Sequence, residues 1–401
     1  MSRFCLDAAI IGTDRHLIVD NEAYSWSSVV PPETLHLTGY VKADTVWCLD
    51  TALRLSGLKI DISPPARFVK AMSSLDVPSP IPWSKVMPAS EHRCFVKKLT
   101  EELRMAMAKA SLDYYRDTWV TGNGLLKALK PVKVDKLSWQ RLMLARAGNV
   151  AATRSFEPDD DGFAAPVTYD RFKTLTGRLT VVSGPQILTL KREHRNIMRS
   201  VHGEDGTIVA LDFAALEARV LLYEHGRNCD ELDLYGMIAK ELGADRKAIK
   251  GAVISELYGS SKKALGIVLG MEGKVLNDFV KRVRLYFNTK ELLKRVKKQF
   301  LETGKVVNRY GRQVLIDEPL DHIMINYYAQ STGVDVTMMG FKQIVDRLAA
   351  SAPRVRPLFL LHDAIILDVH YDDLPLVRAI DRVRVKGYVQ HFPLKYDEIS
   401  V

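Results

Sequence analysis

The stretch from Asp245 to Gly259, DRKAIKGAVISELYG, places Arg246, Lys250, Ile254 and Tyr258 four residues apart. Four-residue steps on a helix of 3.6 residues per turn trace a slanting stripe along one side. Two cations early and a phenol ring late suit a ligand that carries phosphates beside a flat base. A surface helix with snorkelling basic side chains has the same composition, so other residues must decide. Two aspartates stand out. TIVALDFAALEARVLL, residues 207 to 222, reads as a buried strand ending at Asp212 and then a helix. PLFLLHDAIILDVH, residues 357 to 370, reads as two strands with His362 and Asp363 at the turn between them. A helix cap and an ordinary hairpin turn are the plain uses of these acids. Brought together, they would form a hard-oxygen donor pair for two magnesium ions about 3.5–4 Å apart, the arrangement that serves in-line phosphoryl transfer.

The elements that must position these residues come from the rest of the chain. It has 401 residues, 47% of them hydrophobic and 26% charged, which suits two or three folded domains. A formal net charge of +9 suits a polyanionic partner, nucleic acid most often. Cys5, Cys48, Cys94 and Cys229 are too far apart in sequence for a zinc or redox pair and read as reduced residues. No apolar run approaches a signal peptide or a membrane span, so a cytoplasmic protein is expected, in a nucleoid or a host cytoplasm, with no membrane partner. Residues 1–76 read as a small α/β module, with AAIIG and HLIVD as strands and TALRLSG as a helix. Pro78, Pro80, Pro82 and Pro88 mark residues 77–90 as a linker. Ser90 is a candidate N-cap for a helix buried along Phe95, Leu99, Leu103 and Met107, running to about Tyr115 until TGNG breaks it. Lys127, Lys130, Lys133, Lys136, Arg141 and Arg146 face a single acid, Asp135, as either a solvated face or the basic end of a helical arm that grips phosphates.

In their order along the chain, the motifs resemble those of family A DNA polymerases, the class of bacterial polymerase I and several phage replicases. TGRL (176–179) is similar to the segment before motif A, and LDFAALEARVLL is similar to motif A. RKAIKGAVISELYG is similar to motif B, NRYGRQVLI (308–316) to the hairpin that precedes the glutamine segment, NYYAQSTGVDV (326–336) to that segment, and LLHDAI to motif C. The likeness runs from about residue 170 to the C-terminus. It implies an α+β fold shaped as a right hand, with an antiparallel-sheet palm, helical fingers and a helical thumb. The expected divisions are residues 91–150 for the thumb, 151–222 and 321–401 for the palm, and 223–320 for the fingers.

The resemblance also implies roles. Asp212 and Asp363 would hold two Mg2+ ions (Mn2+ as a substitute), with the Phe213 carbonyl as a further ligand. Arg246 and Lys250 would hold the incoming triphosphate, with Lys250 also catalytic, and Ile254, Tyr258 and Tyr235 would line the nucleotide site. Glu217 would close the space a 2′-hydroxyl needs and bond to Tyr258. Arg219 would brace Glu217 or the site wall. Arg178, Arg219, Arg312, Asn326, Gln330 and His362 would face DNA, several of them reading minor-groove acceptors common to all pairs. Departures are Ala364 where motif C usually has Glu, Ile254 where motif B keeps an aromatic, and Tyr235 where a His is usual. The 37 residues between Asp212 and Lys250 point to trimmed fingers. No acidic exonuclease set is recognised in the N-terminal third. The expectation is primer-dependent DNA synthesis from dNTPs on a primer-template, without proofreading, for a phage or mobile-element genome. A single-subunit RNA polymerase and a decayed, duplex-binding scaffold are the rivals. A processivity factor, helicase or primase is a partner class the sequence does not name.

Overall fold

A computed structural model describes residues 3–39, 47–74, 81–146, 148–258 and 262–400. The chain forms two compact units, Met1–Asn123 with Gly311–Gln313, and Gly124–Tyr310 with Val314–Val401. The division falls inside the segment 91–150 expected to act as one piece. Residues 75–80, which include the first part of the expected linker, lie outside the described residues.

In the first unit, β1 (Phe4–Leu6), β2 (His16–Asp20), β3 (Ala23–Ser27) and β4 (Leu35–Leu37) form a sheet of order β3-β2-β1-β4. β1 runs antiparallel to β2 and parallel to β4. AAIIG, expected as a strand, is instead a single helical turn, α1 (Ala8–Ile11). The Asp7 carboxylate accepts from Ala9 N at 2.9 Å and Gly12 closes the turn at φ 62°. A short apolar run has no period of its own, so the cap and the glycine decide its form. HLIVD is β2 and TALRLSG contributes to α2 (Leu49–Leu55), as expected. The long helix α3 (Ala89–Lys109) starts after Pro88, which takes the cap position, so Ser90 lies inside the helix and caps nothing. Phe95, Leu99 and Leu103 are buried on its inner side. After Tyr114 a π-helical turn (Tyr115–Trp119) leads into α4 (Val120–Ala128). TGNG therefore sits within a helix rather than ending one. Buried Trp119 before it and Leu125 within α4 outweigh the roughly 1 kcal/mol that each helical glycine costs.

In the second unit the basic segment 127–146 is not one helical arm. Lys133–Val134 pairs with Met198–Arg199, Val132 and Val134 are buried, and Asp135 caps α5 (Lys136–Leu144) by accepting from Ser138 N at 2.9 Å. That bond holds the Asp135 carboxyl below its usual value, helped by Arg199 at 2.9 Å.

The centre of this unit is a five-stranded antiparallel sheet of β5 (Gly206–Phe213), β6 (Arg356–Leu361), β7 (Ala364–His370), β8 (Arg382–Val383) and β9 (Phe392–Ser400), in the order β6-β7-β5-β9-β8. Side chains alternate across it. Val209, Leu211 and Phe213 face one core, and Ile208 and Ile366 face another. The first core also holds α6 (Leu216–Tyr223), α7 (Leu234–Leu242), α8 (Arg246–Tyr258) and the 31-residue α9 (Asp321–Ser351). α9 can approach β5 closely because residue 340 is glycine. A Cβ there would lie 2.9 Å from the Phe213 ring, one residue from Asp212. No helix among the described residues is long and apolar enough to cross a membrane.

Candidate active site

The two aspartates meet through strand register. β7 pairs with β5 so that Ala364 lies opposite Asp212, and Phe213 N donates to the Asp363 carbonyl at 3.0 Å. Asp212 at the end of β5 and Asp363 in the β6–β7 turn therefore stand at the same edge of neighbouring strands. The hairpin is tight, with Leu361 paired to Ala364 and only His362 and Asp363 between them. His362 takes φ 53°, the positive value that primed hairpin turns need, and Ala215, just after Asp212, takes φ 52°. A non-glycine residue in this region costs roughly 1–2 kcal/mol, so backbone strain is stored beside both acids.

The electrostatics match the crowding. Burial, then the charge of Glu217, raises the Asp363 carboxyl to about 7, with Asp212 adding and Arg178 opposing. Asp212 keeps an exposed edge, yet the protein packed around it also raises its carboxyl, against the pull of Lys395. Burial leads both shifts, so each carboxyl is costly to ionise without a cation beside it. Their hard oxygen donors fit a divalent cation such as Mg2+.

Next to this edge is a cavity of about 430 Å³, lined by Asp212, Tyr235, Arg246, Lys250, Asp233 and Lys395 among others. α8 supplies its cations. Ile249, Val253 and Leu257 bury one face of that helix, which turns Arg246, Lys250 and Ile254 outward. Asp245 fixes the start of the helix, accepting from Lys247 N at 2.7 Å and Ala248 N at 3.0 Å. Arg246 is held by Asp233, Nε to carboxylate at 2.8 and 3.0 Å, and this pairing lowers the Asp233 carboxyl. Tyr258 is the last residue of α8, and its side chain lies outside the described ones.

A second polar group forms the rim. Arg178 donates to Glu217 at 2.6 Å, and the expected bond from Glu217 to Tyr258 falls on a side chain outside the described ones. With the Gln330 amide turned so that its nitrogen donates to Thr176 Oγ1 at 2.6 Å, its oxygen accepts from Arg178 at 3.1 and 3.2 Å. Gln330 also lies 3.4 Å from Asn326, one helical turn away on α9. Exposed His362 is held below its usual pKa by the protein around it and by Arg178 and Arg195.

Two expected DNA contacts face inward instead. Arg219 is fully buried and donates to the Ala214 and Cys229 carbonyls at 2.6 Å each, with Glu231 and Leu232 also accepting. It braces the loop that carries Leu232 and Asp233 to the cavity, the site wall and not Glu217. Arg312 is 4% exposed in the first unit, donating to the Tyr114 hydroxyl at 3.2 Å and lying over Trp119. Each guanidinium has found internal partners, so neither is presented to solvent.

Asp233 and Lys395 were missed. Asp233 carried a readable signal, an acid just before an apolar helical run, and it does cap α7. Lys395 had no local signal, because it reaches the site through its pairing with Asp212 across β9 and β5.

No family model matches the chain. It is 29% identical over 203 residues to a DNA polymerase of Mycobacterium phage L5, covering 48% of this chain and 33% of that protein. It is 25% identical over 268 residues to a DNA polymerase of Bacillus phage SP01, covering 56% and 29%. It is 23% identical over 332 residues to DNA polymerase I of Lactococcus lactis, covering 75% and 37%. The chain thus spans about a third of the length of these curated relatives. Among solved structures it is similar to the POL domain of Pol1 from M. smegmatis, determined in complex with DNA primer-template and dNTP, with a TM-score of 0.55, 13% identity, and 77% of this chain and 74% of that one covered. In sequence the chain is similar to the DNA polymerases of phages and bacteria, its fold is that of a polymerase domain, and both likenesses are consistent with family A.

Proposed function

We propose that this chain extends a DNA primer on a template, adding deoxynucleotides by nucleotidyl transfer with two divalent metal ions. The observation that carries the reading is the meeting of Asp212 and Asp363 at one strand edge beside a cavity lined by Arg246 and Lys250. Similarity to named DNA polymerases supports the substrate class.

Asp212, Asp363 and the Phe213 carbonyl would hold Mg2+, with Mn2+ able to replace it. The metal, when bound, makes the primer hydroxyl a better nucleophile and offsets charge on the triphosphate. Arg246 and Lys250 bind the triphosphate, Arg246 exchanging Asp233 for phosphate oxygens, and Lys250 stands where a proton can be handed to the leaving group. Tyr235 and Ile254 line the nucleotide's path, and Tyr258 is assigned to the base by its place on the stripe. Glu217, held by Arg178, fills the space a 2′-hydroxyl needs, and this favours DNA over RNA synthesis. Arg178, Asn326, Gln330 and His362 face the primer end. In domain terms, the five-stranded sheet serves as palm, the segment with α7 and α8 as fingers, and the α3 region as thumb. We propose further that this chain does not proofread and serves a phage or mobile-element genome.

One primer-extension assay tests this, run with dNTPs, with NTPs and with a 3′-mismatched primer. The reading expects extension with dNTPs, little with NTPs, and a mismatched end that is not excised. Efficient use of NTPs without dNTP preference would overturn it in favour of RNA synthesis. Primer-template binding without extension would overturn it in favour of a scaffold.

A further inference from the structure

The C-terminal strand brings one more charge to the site. In β9, Lys395 lies directly opposite Asp212, just as Ala364 lies opposite it in β7. Directly paired residues on neighbouring antiparallel strands project from the same face. One row across the sheet therefore reads Ala364, Asp212, Lys395. Lys395 is exposed and lines the cavity together with Arg246 and Lys250. Asp397, two residues along and on the same face, is engaged by Arg192 at 2.5 Å. No salt bridge among the described residues fixes Lys395 itself. The cavity thus has cations on two elements, α8 and β9, and the row that carries Lys395 and Asp212 continues to Ala364, a small apolar residue at the position where the motif C resemblance implies an acid.

We propose that Lys395 is a third phosphate-binding cation, contacting the β- and γ-phosphates of the incoming nucleotide and the pyrophosphate they become. This rests on the polymerase reading above. Nucleotidyl transfer forms a bond from the primer O3′ to the α-phosphorus and breaks the bond from that phosphorus to the bridging oxygen, which leaves with pyrophosphate while the O3′ proton passes to solvent or a site base. The charge that builds on the leaving group lies toward the triphosphate end of the cavity, where an ammonium beside Asp212 stabilises it. With Ala364 contributing no carboxylate, Lys395 makes the floor of the site less negative, so the nucleotide's own charge is met by a side chain as well as by metal.

The test is single-turnover extension and its reversal by inorganic pyrophosphate, on a matched primer-template with Mg2+, for the wild type, Lys395→Met, Lys395→Ala and Lys395→Arg. The proposal expects Met and Ala to raise the dNTP and pyrophosphate concentrations needed for half-maximal rate about tenfold, in the range of one charged hydrogen bond. Primer-template affinity and melting temperature stay within the wild-type range, and Arg restores most of the loss. Unchanged dNTP and pyrophosphate dependence in both Met and Ala variants, with wild-type extension intact, would overturn it. Weakened primer-template binding at unchanged dNTP dependence would also overturn it, placing Lys395 on DNA. A wild type that does not extend, yet binds Mg2+–dNTP about tenfold more tightly than Lys395→Met, would overturn the polymerase reading and retain the phosphate site.

Discussion

The floor and the wall of the cavity are built by opposite means. On the floor, the pairing of β5 with β9 sets Asp212 beside Lys395, and the pairing of β5 with β7 brings the turn residue Asp363 to the same edge, although the chain separates Asp212 from either of the others by more than 150 residues. On the wall, Arg246 and Lys250 are neighbours because a helix repeats every 3.6 residues. Register holds the floor rigidly, and its acids sit beside strained residues at His362 and Ala215. The wall is exposed, and its Arg246 is already engaged by an exposed acid, Asp233. A strained, crowded floor suits groups that must keep one geometry. A solvated wall with an exchangeable ion pair suits groups that must take and release a ligand.

The sharpest break in that contrast comes from the floor. Asp212→Ala or Asp363→Ala should lower single-turnover extension by at least about 10³-fold while primer-template affinity changes little. A wall variant should act differently. Lys250→Ala is expected to cost roughly ten- to hundredfold in the efficiency of dNTP use, read from the dependence of rate on dNTP concentration, with DNA affinity again near the wild-type value. Loss of primer-template binding in that variant would show that Lys250 serves the duplex.

Arg219 joins wall and floor. Replacing it with Met takes a donor from the Ala214, Glu231 and Leu232 carbonyls, while Cys229 keeps the Tyr223 hydroxyl, so stability should fall by roughly 1–3 kcal/mol in chemical denaturation. Activity of the fraction still folded would then report how far the Asp233 loop controls the site.

The smallest effect concerns pH. Asp363 is raised to about 7 in the fold, so the folded protein binds that proton more tightly than the unfolded chain does. Without metal, its contribution to stability is therefore favourable at low pH and is lost as pH rises toward and through 7. Melting temperatures of wild type and Asp363→Asn should converge on acidification, and the variant should be the more stable above pH 7. The same proton competes with Mg2+, so extension should decline as pH falls below 7. A wild type that gained stability over Asp363→Asn on going from pH 6 to 8, without metal, would contradict the crowding of this site.

The contrast also explains how much could be read from sequence. The α8 stripe was legible because it is local, and the two aspartates were legible because each ends an apolar run rich in strand formers. That they meet follows from pairing no short window contains, and the family resemblance supplied it. Lys395 shows the same limit without such help: its meaning depends on which strand lies beside it. Arg219 and Arg312 were misjudged because a buried arginine bonded to carbonyls or packed on an aromatic ring has the same letter as one facing DNA. AAIIG in the first unit and TGNG at the division between the units were misread because a cap, a left-handed glycine and burial of Trp119 and Leu125 outweighed local propensity.

The central claim is that Asp212 and Asp363 share metal. Counting Mn2+ ions bound to the protein on a dideoxy-terminated primer-template with the next dNTP, by electron paramagnetic resonance, tests it directly. Two ions bound by the wild type, with at least one lost in Asp212→Asn and in Asp363→Asn while the primer-template stays bound, is the predicted result. The same ion count and affinity in all three proteins would contradict it.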